Sequence, residues 1–168
     1  IHRPDPLMNP DEIAEAFLQL RQQGKALHFG VSNFTPSQTA MMNARFPVEC
    51  NQIEISILTT EAFHNGQLDQ CIQHAIIPMA WSPLGGGKLL NVMNEERNKR
   101  IESVAQLLGE KYIASVEQVL LAFLFRHPSG IIPVMGTTKI ERLKAANNAI
   151  NIKLEREDWF MLWRASAG

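Results

Sequence analysis

The amino-acid sequence predicts an α/β fold in which parallel strands are covered by helices. Short apolar runs alternate along the chain with longer segments whose apolar residues recur at helical spacing. The runs are almost continuously apolar, as expected of strands that are buried on both faces. Several of them end directly in polar residues, where parallel sheets of this kind bind their ligands. An open doubly wound sheet and a (β/α)8 barrel both fit these observations.

The composition is that of one globular domain, which we expect to span residues 1–168. The chain is 45% hydrophobic, and its sixteen Lys and Arg nearly balance seventeen Asp and Glu, for a net charge of -1. That balance argues against a nucleic-acid or membrane-surface partner and favours a small-molecule ligand. The longest apolar runs, such as VLLAFLF, fall far short of the ~18–20 residues that cross a bilayer, and no signal peptide is visible. We therefore expect a soluble, cytoplasmic protein.

The first three helices are predicted from their end signals and periodicity. In NPDEIAEAFLQLRQQGK, Asn9 caps the helix, Pro10 suits its first turn and Gly24 suits its exit. Thr35 and Gln38 form a capping box that opens TPSQTAMMNARF. A third helix is expected over EAFHNGQLDQCIQHA. The strands ALHFGVSNF, VECNQIEIS and IIPMAWSPL follow these helices in turn.

The rest of the chain continues the alternation after a glycine-rich loop, GGGKLL. A longer helical stretch comes next, RNKRIESVAQLLGEKY and then SVEQVLLAFLFRHP, where Ser115 and Gln118 form a second capping signature. The run IIPVMGTT is a further strand, the fifth if the opening stub is the end of one. Two helices complete the pattern, KIERLKAANNAI and LEREDWFMLWRAS. In the last helix we expect Trp159, Phe160 and Trp163 to pack on an apolar face rather than to stack on a ligand.

The chain is too short to form a complete (β/α)8 barrel. A complete (β/α)8 barrel takes about 250 residues, with about 200 near the lower limit. A chain of 168 residues with four full strand signals would therefore be roughly half of one.

Five segments carry a family resemblance, and each follows a predicted strand. In chain order they are IHRPDP, GVSNF, NQIEIS, AWSPLGGG and GTTK. With these segments the chain resembles the aldo-keto reductases over essentially all 168 residues. The resemblance implies a (β/α)8 barrel, an NADPH or NADH cofactor, and reversible hydride transfer between the nicotinamide and a carbonyl or alcohol. It assigns the chain to the C-terminal half of the barrel, beginning at the tip of the fourth strand.

The resemblance implies a catalytic role for one residue of the opening segment. His2 matches the family's active-site histidine, which lies at a strand end and points at the substrate carbonyl. A ring N–H in that place can hydrogen-bond the carbonyl oxygen and orient it for hydride transfer. We expect the other four histidines to be structural or exposed.

Four residues match the family's contacts to the nicotinamide. Ser32, Asn33 and Gln52 match the residues that hold its carboxamide, a group with both a donor and an acceptor. Trp81 stands where the family places an aromatic ring that stacks on the nicotinamide. Ser32 and Asn33 can also serve a turn that leads into the next helix.

The glycine-rich loop is expected to hold the pyrophosphate, although three glycines alone suit a flexible connector equally well. Ser82, Pro83, Leu84 and Gly85 follow the strand end, and backbone N–H groups beside glycine can approach a phosphate closely while Lys88 neutralises it. The loop does not match GxGxxG at a helix start, which disfavours the doubly wound dinucleotide fold.

The segment GTTKIERLK matches the family segment that binds the adenosine end of the cofactor. The matching residues are Gly136, Thr137, Thr138, Lys139 and Arg142. The threonines place hydroxyl groups, and Lys139 and Arg142 place two cations, at a helix start, where anions are favoured. This set favours the 2′-phosphate of NADPH over the bare ribose of NADH. One departure stands out, because Ala145 and Ala146 occupy the positions where the family commonly has Glu-Asn against the adenine.

Other catalytic groups of the family are absent from these residues. Its proton donor is a tyrosine supported by a lysine and an aspartate, all from the first half of the barrel, and Tyr112 lies at a helix end far from any strand tip. Cys50, Cys71 and the acidic residues show no metal-ligand spacing. We therefore expect a fragment of a longer gene product that is inactive alone.

Three functions stay open at this point. The first is an NADPH-dependent reductase that converts an aldehyde or ketone to an alcohol. The second is a nucleotide-binding, redox-sensing regulatory subunit of the same fold, and the third is an inactive truncated species.

Overall fold

The computed structural model describes residues 1–87 and 96–167. Within these residues the strands are β1 (Gly30–Ser32), β2 (Cys50–Glu54), β3 (Ile77–Trp81) and β4 (Ile132–Pro133). The helices are α1 (Pro10–Gln22), α2 (Pro36–Asn43), α3 (Gln67–His74), α4 (Glu96–Tyr112), α5 (Val116–Phe125), α6 (Ile140–Asn148) and α7 (Arg156–Ala167). Short 3-10 helices cover Glu61–Phe63, Gly85–Gly87 and Ala149–Asn151. None of the helices in these ranges is long and apolar enough to cross a membrane.

The strands form one parallel sheet in the order β1-β2-β3-β4. Ser32 pairs with Gln52, and Glu54 pairs with Trp81, so the carboxyl ends of three strands lie at one edge. Each strand lies beside the one before it in the chain, whereas a doubly wound sheet reverses its order at a switch point. The sheet therefore winds in one direction, like the wall of a barrel, and the predicted α/β class is confirmed.

The predicted helix starts are confirmed by their hydrogen bonds. The Asn9 side chain accepts a bond from the Asp11 N–H at the start of α1. Both capping boxes are complete, with Thr35 and Gln38 at α2 and with Ser115 and Gln118 at α5. Each box satisfies two backbone N–H groups that would otherwise have no partner in the helix.

The prediction of one continuous helix over EAFHNGQLDQCIQHA is wrong. A 3-10 helix covers Glu61–Phe63, and α3 begins only at Gln67. Gly66 lies between them with a φ of 84°, a left-handed conformation that ends a helix, and the Asn65 side-chain oxygen accepts the Gln67 N–H. The local Asn-Gly chemistry therefore overrides the helical periodicity.

The opening segment is not assigned as a strand, which differs from its expected place at the end of one. The Ile1 amino nitrogen lies 2.8 Å from the Gly30 carbonyl oxygen, so the segment runs beside the first residue of β1. The last strand is also shorter than predicted, because ladder pairing covers only Ile132–Pro133 before the Val134 N–H bonds to the Ala80 oxygen.

The main core lies between the sheet and helices α4, α5 and α7. Ile53, Phe123 and Leu162 are buried together in it. The Trp159 ring stacks on Phe123 at 4.7 Å, and the Trp163 ring meets the edge of Phe63 at 5.2 Å. The predicted packing role of these tryptophans is confirmed.

A polar cluster joins the end of α4 to the start of α7. The Tyr112 hydroxyl donates to Asp158 and accepts from the Glu155 N–H at 2.9 Å, while the Lys111 amine lies 2.8 Å from Asp158. Burial raises the pKa of Asp158, but the hydrogen bonds from Lys111 and Tyr112 and the charge of Lys111 outweigh it, so the net pKa is lowered. Tyr112 therefore holds two helices together, away from the strand tips.

Candidate functional site

Three strand ends are joined by side-chain hydrogen bonds at the carboxyl edge of the sheet. The Ser32 hydroxyl donates to the Gln52 carbonyl at 2.8 Å, and the Asn33 amide donates to the Ser32 oxygen at 3.0 Å. The Trp81 indole N–H donates to the Asn33 side-chain oxygen at 2.9 Å. The structure thus brings together the four residues that the sequence assigns to the nicotinamide.

The backbone at Asn33 sets this arrangement. Asn33 has a φ of 59°, and its N–H donates to the Gln52 carbonyl at 2.9 Å. Asparagine enters the left-handed region more readily than other residues that carry a Cβ. The chain therefore leaves β1 sharply, toward Thr35, while the Asn33 side chain stays against Trp81.

A groove of about 420 Å³ continues from this edge between two segments of the chain. One wall follows the tip of β3, and the other follows the tip of β4. Seven residues predicted to contact the cofactor line it, namely Trp81, Ser82, Pro83, Leu84, Gly136, Thr137 and Arg142. Segments 55 residues apart in the chain (Trp81 and Gly136) therefore share one cleft, as the prediction of a single extended site requires.

The glycine-rich loop has a more specific geometry than expected. Gly85, Gly86 and Gly87 all have positive φ, and the Gly85 N–H donates to the Ser82 carbonyl at 2.8 Å. Gly85 is buried, and a Cβ there would come within 2.8 Å of a Leu58 methyl carbon. Gly85 is therefore packed against Leu58 and its N–H is already bonded, whereas Gly86 and Gly87 are the glycines of this loop that line the groove.

The far end of the groove is cationic. Arg142 lines it from the first turn of α6, and the Thr137 hydroxyl oxygen accepts the Lys139 N–H at 3.2 Å. Thr138 and Lys139 are exposed at the start of the same helix. Lys88, the other predicted cation, lies outside the described residues.

Three further residues line the groove without having been predicted. Val134 and Met135 belong to the β4 tip, directly before Gly136. Glu117 comes from the first turn of α5, a helix that no sequence pattern places beside the groove. Its position depends on packing between helices, which periodicity does not specify.

His2 is exposed at the start of the chain and is not among the residues that line the groove. The contact of Ile1 with Gly30 sets the segment beside β1, the strand that leads to Ser32. The catalytic role of His2 stays a prediction.

The two cysteines are unsuited to nucleophilic chemistry. Burial raises the pKa of the Cys71 thiol to about 11, and burial also raises the pKa of Cys50 in β2. Both groups are therefore protonated thiols at neutral pH.

The residues present fit a nicotinamide dinucleotide. One end of the groove carries a flat ring and an amide, the middle carries Gly86 and Gly87 without side chains, and the far end carries Arg142. A Cβ on Gly87 or Gly136 would meet nothing within 4 Å, so the cleft beside them is open. Ring, backbone and guanidinium groups follow the order of nicotinamide, pyrophosphate and nucleotide in such a cofactor.

Comparisons with known proteins agree on one family. The model of the Aldo/keto reductase family matches residues 1–166. Oxidoreductase YdhF of Escherichia coli strain K12 is 45% identical over 170 residues, covering 100% of this chain and 56% of that protein. A 6-dehydroglucose reductase of Agrobacterium fabrum is 38% identical over 173 residues, covering 100% of this chain and 56% of its own length.

A solved structure shows the same fold. The crystal structure of the thermostable aldo-keto reductase Tm1743 with the inhibitor epalrestat matches with a TM-score of 0.85 at 23% identity. The match covers 98% of this chain and 58% of that one. The prediction that the chain forms part of a (β/α)8 barrel is confirmed.

The chain therefore belongs to the aldo/keto reductase family, whose members that it matches include oxidoreductases. It spans about half the length of the curated relatives it matches.

Proposed function

We propose that the full-length protein is an NADPH-dependent aldo-keto reductase that reduces the carbonyl of an aldehyde or ketone to an alcohol. The observation that carries the proposal is the groove that joins Trp81 to Arg142 past two glycines without side chains. A small-molecule carbonyl substrate, rather than a nucleic acid or a membrane, and a cytoplasmic location belong to the same proposal.

The nicotinamide end of the groove would position the reacting ring. Bound NADPH supplies a hydride, and a proton from the protein completes the conversion of carbonyl to alcohol. The Trp81 ring offers a flat face, and Asn33 offers amide N–H groups beside it. Gln52 offers a further amide that can accept and donate. These groups would hold the carboxamide and so decide which ring face is turned to the substrate.

The opposite end of the groove would hold the phosphorylated nucleotide. Arg142 lines it, and the exposed Lys139 stands at the start of the same helix. A guanidinium binds phosphate oxygens through paired N–H groups, and the free N–H groups of a helix start add to the attraction. These cations support NADPH over NADH.

The proposed contacts with the substrate are based on the family resemblance. His2 would donate a ring N–H to the substrate carbonyl oxygen and so orient it. In the family, the proton donor is a tyrosine from the half of the barrel that precedes the matching segment, and we propose the same arrangement for the full-length protein.

Tryptophan fluorescence tests the proposal. We expect NADPH to quench the emission of the full-length protein, because a nicotinamide ring would lie on Trp81. The variant Trp81→Phe should lose most of that quenching, whereas Trp163→Phe, which alters the packed aromatic cluster, should keep it. A generic aldehyde should then be reduced with consumption of NADPH. Absence of quenching in the unsubstituted protein would contradict the proposal.

A further inference from the structure

One carboxylate lines the groove beside the proposed adenosine end. Among the described residues that line the cleft, Glu117 is the acidic residue and Arg142 is the basic residue. Glu117 is half-buried, so its charge stands partly out of water. The cleft is lined mainly by apolar side chains and glycines, so a half-buried carboxylate there needs hydrogen-bond donors, and a bound ligand can supply them.

Hydrogen bonds of nearby residues hold the backbone that carries Glu117 in place. Ser115 and Gln118 exchange two capping hydrogen bonds, at 3.0 and 3.2 Å, which hold the first turn of α5. The Gln118 side-chain amide also donates to the Ala145 carbonyl of α6 at 3.0 Å. The turn that carries Glu117 is therefore tied directly to the helix that carries Arg142.

Two positions of α6 that the family resemblance assigns to the adenine carry no polar side-chain atoms. Ala145 and Ala146 stand where the family resemblance places a glutamate and an asparagine against the adenine. Their side chains are methyl groups, so neither can accept a hydrogen bond from a base. Gln118 bonds to the Ala145 carbonyl, and its neighbour Glu117 brings a carboxylate to the groove from another helix.

We infer that Glu117 recognises the adenine ring of the cofactor by accepting a hydrogen bond from its exocyclic amino group. This inference rests on the proposed function, because it assumes a nicotinamide dinucleotide in the groove. A carboxylate only accepts hydrogen bonds, so it pairs with an amino group and repels a carbonyl oxygen at the same position. Hypoxanthine, which has a carbonyl there, should therefore bind less well than adenine.

Calorimetry with two cofactors tests the inference. The full-length protein is titrated with NADPH and with its deamino analogue, which carries hypoxanthine. We expect NADPH to bind about tenfold more tightly, the effect of one hydrogen bond to a charged group. In Glu117→Ala the two dissociation constants should become nearly equal, mainly because NADPH binds less well. Glu117→Gln, which keeps an acceptor oxygen, should retain part of the preference.

The control is Glu110→Ala, which removes an exposed carboxylate from α4 and should leave both constants unchanged. The inference is overturned if the unsubstituted protein does not discriminate between the two cofactors, or if Glu117→Ala keeps the discrimination. It is also overturned if Glu117→Ala tightens NADPH binding, since Glu117 would then act by repelling the 2′-phosphate. Binding of neither cofactor to the unsubstituted protein would instead contradict the proposed function itself.

Discussion

The indole N–H of Trp81 donates to the side-chain oxygen of Asn33 at 2.9 Å, although 48 residues separate them in the chain. Asn33 follows β1 and Trp81 ends β3, so the bond passes across the end of the intervening strand β2. It ties together two residues that the sequence assigns separately to one ring of the cofactor. The tips of β1 and β3 are thus joined to each other by a side-chain hydrogen bond.

The left-handed backbone at Asn33 gives the first prediction. Asn33→Ala and Asn33→Gly both remove the hydrogen-bond acceptor for Trp81. A φ of 59° is sterically unfavourable for alanine, because of its Cβ, but not for glycine. We expect Asn33→Ala to lower the free energy of unfolding by about 1–2 kcal/mol more than Asn33→Gly. Urea denaturation of the full-length variants measures the difference. Equal losses would mean that Asn33 does not hold this conformation in solution.

The contact between β1 and β2 gives the second prediction. A Cβ on Gly30 would clash with the Cys50 sulfur and lie 2.8 Å from the Cys50 carbonyl oxygen, so Gly30→Ala forces the strands apart. We expect a loss of about 1–3 kcal/mol in the free energy of unfolding, seen as a fall in the melting temperature.

Gly136→Ala is the matched control for this change, because a Cβ there meets nothing within 4 Å. Adding Cys50→Ala to Gly30→Ala should restore only part of the stability, since the backbone oxygen remains in the way. A Gly30→Ala protein as stable as the original would show that the strands are less closely packed than described.

The cluster around Asp158 gives a prediction for pH. Its pKa in the folded protein lies below the unfolded value of about 3.9, so its contribution is present above that pH and is lost as the pH falls through the folded-state pKa. Asp158→Asn should lower stability at neutral pH and weaken the dependence of stability on pH below about 5. Urea midpoints between pH 2 and 7 measure this.

Glu157→Gln serves as the control for Asp158, because Glu157 is exposed in the same turn of α7. Its acid dependence should match that of the unsubstituted protein. An Asp158→Asn variant with an unchanged acid dependence would mean that the bonds to Lys111 and Tyr112 do not favour the charged form.

The capping box of α5 gives a fourth prediction. Ser115→Ala removes one capping bond and should cost about 1 kcal/mol of unfolding free energy. Gln118→Ala should cost more, because it also breaks the bond to the Ala145 carbonyl. Thermal denaturation compares them with Ser103→Ala, an exposed substitution on α4 that should be nearly neutral. Equal costs for Ser115→Ala and Gln118→Ala would argue against the tie between α5 and α6.

Much of the fold could be predicted because its signals are local. The alternation of apolar runs with helical segments gave the α/β class, and side chains such as Thr35 and Ser115 marked helix starts. The break at Gly66 is not predicted, although Asn65-Gly66 is itself a turn signal, because the helical periodicity continues on both sides of it. Strand order was not accessible, since periodicity says nothing about which strands pair.

In the candidate site, too, some residues could be predicted from the sequence and others could not. Residues directly after strands, such as Asn33 and Trp81, could be named because parallel strands end at one edge. Glu117 could not, because its place beside the groove depends on how α5 packs against α6 through Gln118. The burial of Gly85 under Leu58 likewise depends on a contact between distant segments.

The central claim is that the groove from Trp81 to Arg142 binds NADPH, and calorimetric titration of the full-length protein with NADPH and NADH tests it most directly. We expect NADPH to bind at least about tenfold more tightly than NADH, since a guanidinium–phosphate pair is a strong charge-assisted contact. In Arg142→Gln this ratio should fall toward one, with NADH binding nearly unchanged. Equal affinity for both cofactors in the unsubstituted protein, or an unchanged ratio in Arg142→Gln, would contradict the claim.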